Sequence, residues 1–401
     1  MRLLLAFCAL LALFAPCVAS AQGLPTQFVP SEVEALEGYK ETLEGERPGL
    51  IYFPTVSKPV QDIEYLQSYS VTGGVYCAEW TDGKTYRYSR RFLIHAIDPE
   101  SLPFAKRVAK TLLLLHATYR DRFKADHPRN TTTLDVWLMG RAGGLSADAG
   151  GRQVRDNIYL FNIFTERSPA EWLREIAHEY GHYIFLGVSG FTAPEAWGNG
   201  VLGERLFPMW LQEDVKSGKI GANALPFVTP EELAEQTRKQ VEPLVLRLAA
   251  EGAKISLMQR RDAQGMDYFT AVALYINAVN GAKALKEAFS YTESADGTVF
   301  VRSPDFLRGV QQAFQEAETL SFSPPRVGME SFSVYLPKGV FKATTEGGIR
   351  SWEFLIADKG LTRKTANTLT VKQAGWRKLT LRVGANASSL PRLILHRQGD
   401  R

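Results

Sequence analysis

The sequence predicts an α+β protein, with strands ahead of a helical middle and a second set of strands at the C-terminus. Three observations carry that expectation. Short runs of β-type residues fill the first hundred positions. From about residue 168 to 290, apolar side chains recur at helical spacing behind clear N-terminal caps. Beyond Pro324-Pro325 the apolar period returns to two. The 401 residues are enough for two or three domains, and 47 Lys and Arg stand dispersed against 43 Asp and Glu. That near balance gives no reason to expect a nucleic-acid partner.

Residues 1–21 read as a secretory signal peptide, with Arg2 as the charged start, an apolar run over 3–14, and Ala19-Ser20-Ala21 as the cleavage site. No later apolar run reaches the roughly 20 residues of a membrane span. The expectation is an exported protein, secreted or periplasmic, with no transmembrane segment. Leu13-Phe14-Ala15-Pro16-Cys17 is a poor lipoprotein signal because proline precedes the cysteine. Cys8 and Cys17 leave with the signal peptide, and Cys77 stays alone as a core residue. A single thiol permits neither an internal disulfide nor a cysteine-built metal site.

Residues 22–100 form an irregular, strand-bearing region. Leu50-Ile51-Tyr52-Phe53, Tyr86-Arg87-Tyr88 and Arg91-Phe92-Leu93-Ile94 supply the strands, broken by Gly73-Gly74 and Asp82-Gly83. Residues 101–323 follow as the central domain. Over 103–123 the spacing is helical, and Leu112, Leu115 and Tyr119 share a side with His116, which is therefore a core or boundary histidine rather than a ligand. Leu134-Asp135-Val136-Trp137-Leu138 alternates as a strand. The glycines between 140 and 151 read as a flexible connection, because a phosphate-cradling loop would need a Lys-Ser/Thr pair that is missing. Asn157-Ile158-Tyr159-Leu160-Phe161 reads as a short buried or edge strand.

The next helix carries the chemistry. Ser168-Pro169-Ala170-Glu171 is a capping box with proline at the first helical position. Trp172, Ile176, Tyr183 and Leu186 supply its apolar positions, and Gly187 with Gly190 offers a stop, for a helix of about five turns. Inside it, His178-Glu179-Tyr180-Gly181-His182 spells H-E-x-x-H. Histidines four apart share a helical face, so both imidazoles can reach one metal ion, while Glu179 stands one step round, where a base for a zinc-bound water is needed. The plain alternative is two surface histidines and a glutamate from an ordinary charged face.

Thr192-Ala193-Pro194-Glu195 reads as the opening of a second helix through Phe207, Thr229-Pro230-Glu231-Glu232 as the cap of a third to about Ala250, and 268–289 as a fourth. Residues 324–401 read as a β-sandwich-like module of short antiparallel strands around 333–336, 351–356, 369–371, 379–383 and 393–395.

A strand followed by an H-E-x-x-H helix resembles the catalytic core of zincin metallopeptidases, over roughly residues 130–210. The form His178-Glu179-Tyr180-Gly181-His182-Tyr183 is also similar to that of the bacterial collagenase-type gluzincins, although their E-G-x-A-E signature is absent. The resemblance implies a zincin-like core, a strand along the cleft that pairs with an extended peptide, and zinc held by His178, His182 and a glutamate from a following helix. Two glutamates compete. Glu195 lies in an E-x-x-[small]-[D/N] pattern ending at Asn199, yet follows His182 closely and has a capping role open to it. Glu204 follows at the more usual interval and is favoured, with Gly198, Gly200 and Gly203 allowing the helices to approach. Tyr268, Tyr275 and Arg205 are conceivable oxyanion stabilisers, without an assigned role.

The function so implied is an exported, zinc-dependent metallopeptidase in which Glu179 activates water against a peptide bond. The competing function is a catalytically inactive zincin-like binding protein that contacts glycan, cell wall or protein through its C-terminal module, with Trp352 and Trp376 as candidate contact residues. A purely structural zinc would need four ligands, often including cysteines, and a lone Cys77 cannot supply such a cluster.

Overall fold

A computed structural model of the chain describes residues 34–35, 47–53, 59–60, 69–70, 74–81, 89–124, 133–140, 150–292, 301–356, 360–363, 368–384 and 390–399. The signal-peptide stretch, Tyr86-Arg87-Tyr88, most of the glycine-rich connection and the Cys77 side chain lie outside them.

In chain order, strands β1 (Glu34–Ala35), β2 (Arg47–Phe53), β3 (Pro59–Val60), β4 (Tyr69–Ser70), β5 (Gly74–Thr81) and β6 (Ser89–Ala96) precede helix α1 (Leu102–Phe123). Then come β7 (Leu134–Met139), β8 (Gly150–Val154), β9 (Asn157–Phe161), the motif helix α2 (Pro169–Ile184) and β10 (Val188–Ser189). The helical middle contains α3 (Gly198–Lys216), α4 (Pro230–Gln240), α5 (Glu242–Glu251), α6 (Ile255–Met258), α7 (Ala263–Asn280), α8 (Ala282–Thr292), β11 (Val301–Arg302) and α9 (Ser303–Glu316). The remainder is β12 (Thr319–Phe322), β13 (Ser331–Leu336), β14 (Gly339–Glu346), β15 (Ile349–Ile356), β16 (Gly360–Arg363), β17 (Thr368–Val371), β18 (Gly375–Val383) and β19 (Arg392–Arg397). The class is α+β, as the sequence predicts.

The first sheet has seven strands in the order β1-β2-β5-β6-β7-β9-β8. It is mixed: β6–β7 and β7–β9 are parallel, and the other pairs are antiparallel. The parallel pair β6–β7 needs a crossover, which α1 provides. Its Val108, Leu112 and Leu115 are buried in the same core as Phe92, Ile94 and Val136 of the sheet. His116 is also fully buried and lies 2.9 Å from the Tyr180 hydroxyl through its Nδ1, so it is a core histidine. The strand at 157–161 forms with the expected bounds but is internal. The edge of the sheet is β8, which begins in the glycines read as a connection.

Several helices are shorter or longer than the sequence suggests. The stretch from Thr229 divides into α4 and α5 at Val241, and the stretch from 268 divides at Gly281, whose φ of 87° ends α7. Thr192 to Trp197 is not helical, and α3 starts at Gly198 and runs past Phe207 to Lys216.

The C-terminal strands make two four-stranded antiparallel sheets, β12-β19-β14-β17 and β13-β18-β15-β16. Alternate residues, among them Leu320, Phe341, Leu395, Phe332, Phe354 and Leu381, are buried, which is the period-two signature of strands covered on one face. Because β12 lies before Pro324-Pro325 and pairs with β19, the first of these sheets reaches back across the prolines. The module is fastened to the helices: Tyr275 donates its hydroxyl to Ser333 O, and Lys378 Nζ donates to Ala249 O. Trp376 packs between Tyr275 and Tyr335 and against Gly252, while half-buried Trp352 packs on Phe354. Trp376 thus serves the junction rather than an open face. Among the described residues, no helix is long and apolar enough to cross a membrane.

Candidate metal centre

The capping box at Ser168 forms with both of its hydrogen bonds, so α2 starts where the sequence places it. Trp172, Ile176, Tyr180 and Tyr183 are buried, which leaves His178, Glu179 and His182 toward the neighbouring cleft. Opposite lies α3, brought unusually close. A Cβ on Gly203 would stand 2.4 Å from Ala177 O and 2.7 Å from Gly181 Cα, and one on Gly181 would stand 2.7 Å from Asn199 O. The two helices touch through their backbones, as the glycines suggested, and this contact sets the depth of the site.

The imidazoles converge. His178 Nε2 and His182 Nε2 are 3.1 Å apart, Glu195 Oε2 is 3.1 Å from His182 Nε2, and Glu195 Oε1 is 3.3 Å from His178 Nε2. One ligand atom from each of these three residues lies within 4.8 Å of the others. The expectation that Glu204 would complete the group is not met. Glu204 sits behind His178, with Oε2 3.3 Å from Nδ1, and its carboxylate also pairs with Arg205 and lies 3.7 Å from Arg174 Nε. The reason is local. Without a helix at 192–197, Glu195 has no capping role, and its loop brings the carboxylate to the histidines. Glu204, in the second turn of α3, lies on the Nδ1 side.

The outer hydrogen bonds settle the tautomers. Asn199 Nδ2 donates to His182 O at 3.0 Å and to Phe185 O, which turns its Oδ1 to accept from His182 Nδ1–H at 3.0 Å. Glu204 accepts from His178 Nδ1–H. Each Nε2 therefore carries a lone pair, and two such lone pairs face a carboxylate across about 3 Å. Three electron donors at that separation repel unless a cation lies between them. In the metal-free protein a proton fills that role. Burial opposes a charged His178, but hydrogen bonds to Glu195 and Glu204 push its pKa up to about 10. Burial likewise works against an ionised Glu195, yet the two histidines hold it down at about 2.

The donor set fits a zinc ion, since two imidazole nitrogens and one carboxylate oxygen leave a coordination position for substrate or water. Space fits as well. A Cβ on Gly200 would stand 2.4 Å from His182 Nε2 and 2.6 Å from His178 Nε2, so only glycine keeps the point of convergence clear.

Glu179 is buried beside the group, and its Oε2 has no hydrogen-bond partner among the described residues. Burial raises its pKa to about 7 against the opposing pull of both histidines. The edge strand β8 passes directly over it: a Cβ on Gly151 would stand 2.7 Å from Glu179 Cγ. Gly151 N donates to Glu175 Oε1 at 2.7 Å, and Arg167 holds the other oxygen of that carboxylate at 2.8 Å. Glu175 thus ties the edge strand to the motif helix. The sequence reading missed it, although its place one turn before Glu179 on the same helix was a usable signal.

These residues line a cleft of about 920 Å³ to which β8 and α8 contribute, together with Tyr119, Phe123, Phe185 and Phe289. The three conceivable oxyanion residues are elsewhere. Tyr268 donates to Gly252 O, Tyr275 to Ser333 O, and Arg205 to Gln240 Oε1, and none of them lines the cleft. Comparison of the chain with protein-family models and with curated proteins gives no match.

Proposed function

We propose that the chain is an exported zinc-dependent metallopeptidase with a zincin-like core of the gluzincin type, in which His178, His182 and Glu195 hold zinc and Glu179 is the general base. The observation that carries this reading is the convergence of two Nε2 lone pairs and a carboxylate on one point, with a buried, unpartnered carboxylate oxygen beside it. The edge strand β8 along the cleft supports the same core, because an extended peptide can add to an open sheet edge. Export rests on the signal-peptide character of residues 1–21.

When bound, zinc supplies a Lewis acid that acidifies water and polarises a carbonyl. Glu179 takes the proton of the attacking water at its carboxylate and returns it to the departing amine. Burial favours the protonated form of this carboxylate, which suits it to take up that proton and pass it on. Glu204 and Asn199 accept the Nδ1–H of each histidine, which aims both Nε2 atoms inward. Glu175 fixes β8 at Gly151, so the substrate strand lies at a set height above Glu179.

The test pairs elemental analysis with a quenched-peptide library on the full chain. Wild type and Glu179→Gln should each hold about one zinc, and only wild type should cleave. A chain that takes up no zinc at neutral pH, or a variant that cleaves at the wild-type rate, overturns the assignment.

A further inference from the structure

The charges around the cleft do not cancel. Its carboxylates are all engaged or enclosed: Glu175 by Arg167 and Gly151 N, Glu195 by the two histidines, and Glu179 by burial. Two cations on the rim are different. Arg155, exposed just past the end of β8, and Lys286, half-buried on α8, both line the cleft. Neither side chain has an ion-pair or hydrogen-bond partner among the described residues: the side chains of Gln153 and Ser290 donate to the backbone oxygens of Arg155 and Lys286.

From this we infer that the cleft selects acidic peptides, with Asp or Glu placed where the substrate strand passes Arg155, and Lys286 adding to the same positive field. The inference rests on reading the cleft as a peptide site and names the substrate class that site takes. Gly151 stands over Glu179 and so marks the level of the bond attacked. Arg155 lies four positions further on, about 13 Å at 3.3 Å per residue of strand. The acidic side chain therefore belongs roughly four residues from the cleaved bond, toward the C-terminal end of β8. A basic residue at that point would meet the like charge of Arg155 in a cleft that Lys286 also lines.

The experiment uses two series of labelled peptides of one neutral sequence, with a single Glu or a single Lys walked along it. Affinity is measured by anisotropy on the zinc-loaded full chain carrying Glu179→Gln, and cleavage is measured with wild type. The Glu series should bind roughly three- to tenfold tighter than the Lys series at low ionic strength. The ratio should peak about four residues from the cleavage point and shrink as salt is added. In Arg155→Glu combined with Lys286→Glu, the preference should invert. A local structural defect would weaken both series together and would not invert their ratio.

Equal affinity for the two series, or a preference that survives the double charge reversal, overturns the inference. Cleavage without charge preference sinks it and leaves the peptidase standing. Acidic preference without cleavage by wild type sustains it as a binding specificity and sinks the peptidase. Binding of neither series overturns both.

Discussion

Gly200 offers the sharpest test of the metal centre, because alanine there adds one methyl group where the ligands meet. The new Cβ would lie 2.4 Å from His182 Nε2 and 2.6 Å from His178 Nε2, far inside the ordinary separation of about 3.5 Å. The imidazoles can rotate away, but only by turning their lone pairs out of the site. In the metal-free protein the swing is partly offset by alanine's helix preference of about 1 kcal/mol over glycine. Unfolding free energy without metal should therefore stay within about 1 kcal/mol of wild type. Zinc affinity should fall about 100-fold or more. With zinc at 100 times the wild-type Kd, bound metal stabilises wild type by about 2.7 kcal/mol, and a 100-fold weaker site by only about 0.4 kcal/mol. Denaturant unfolding with and without zinc reads this difference directly, and calorimetric titration gives the affinity. Gly203→Ala is the control. Its Cβ would meet backbone, Ala177 O at 2.4 Å, so the helices must part, and overpacking net of helix preference costs about 1–2 kcal/mol already in the metal-free protein, unlike Gly200→Ala. A Gly200→Ala protein that gains as much from zinc as wild type would refute convergence at the Nε2 atoms.

Glu195→Ala should abolish zinc retention through dialysis, whereas Glu204→Gln should weaken affinity only about 10- to 100-fold, because it removes a hydrogen-bond acceptor rather than a ligand. The reverse ranking in elemental analysis would restore Glu204 as the ligand. Zinc uptake should release a proton at pH 7, since His178 with its pKa near 10 is protonated in the metal-free protein and must be neutral to bind. Titration calorimetry in buffers of different ionisation enthalpy measures that release, and a buffer-independent enthalpy would contradict it. The same pair sets the acid and alkaline limits of the metal-free fold. A raised His178 contributes stability that is full below pH 6.5 and lost as pH climbs through about 10. A depressed Glu195 contributes stability present above pH 4.5 and lost as pH falls through about 2. Chelated protein should therefore draw most from this pair between pH 4.5 and 6.5, which denaturant midpoints across pH can test. Finally, Gly151→Ala should lift the edge strand from Glu179 and lower kcat about tenfold or more, while zinc stoichiometry holds. Unchanged kcat in a folded, zinc-loaded variant would separate β8 from the chemistry.

Much of the local structure was legible in the chain. The Ser168 box, the apolar stripe of α1, the apolar run of β9 and the alternation in β7 and most C-terminal strands are short-range signals, set by hydrogen bonds and burial within a few residues. Glycine was the weak point. Gly150-Gly151 has no side chain to show a strand period, so β8 read as a connection, although Gly151 lies against a close neighbour in the fold. Thr192-Ala193-Pro194-Glu195 satisfies a local capping pattern, yet the segment stays extended and its glutamate serves a distant helix.

What the sequence by itself determined is the motif helix: H-E-x-x-H places His178 and His182 on one face and Glu179 one step round from them, through a period of 3.6 residues, whatever surrounds them. Only the tertiary structure decided which carboxylate joins them. That choice depends on where α3 begins, on the backbone contact of Gly181 with Gly203, and on which nitrogen of His178 faces Glu195. Those are relations between segments, governed by packing and by the hydrogen bonds of Asn199 and Glu204, and no spacing along the chain records them.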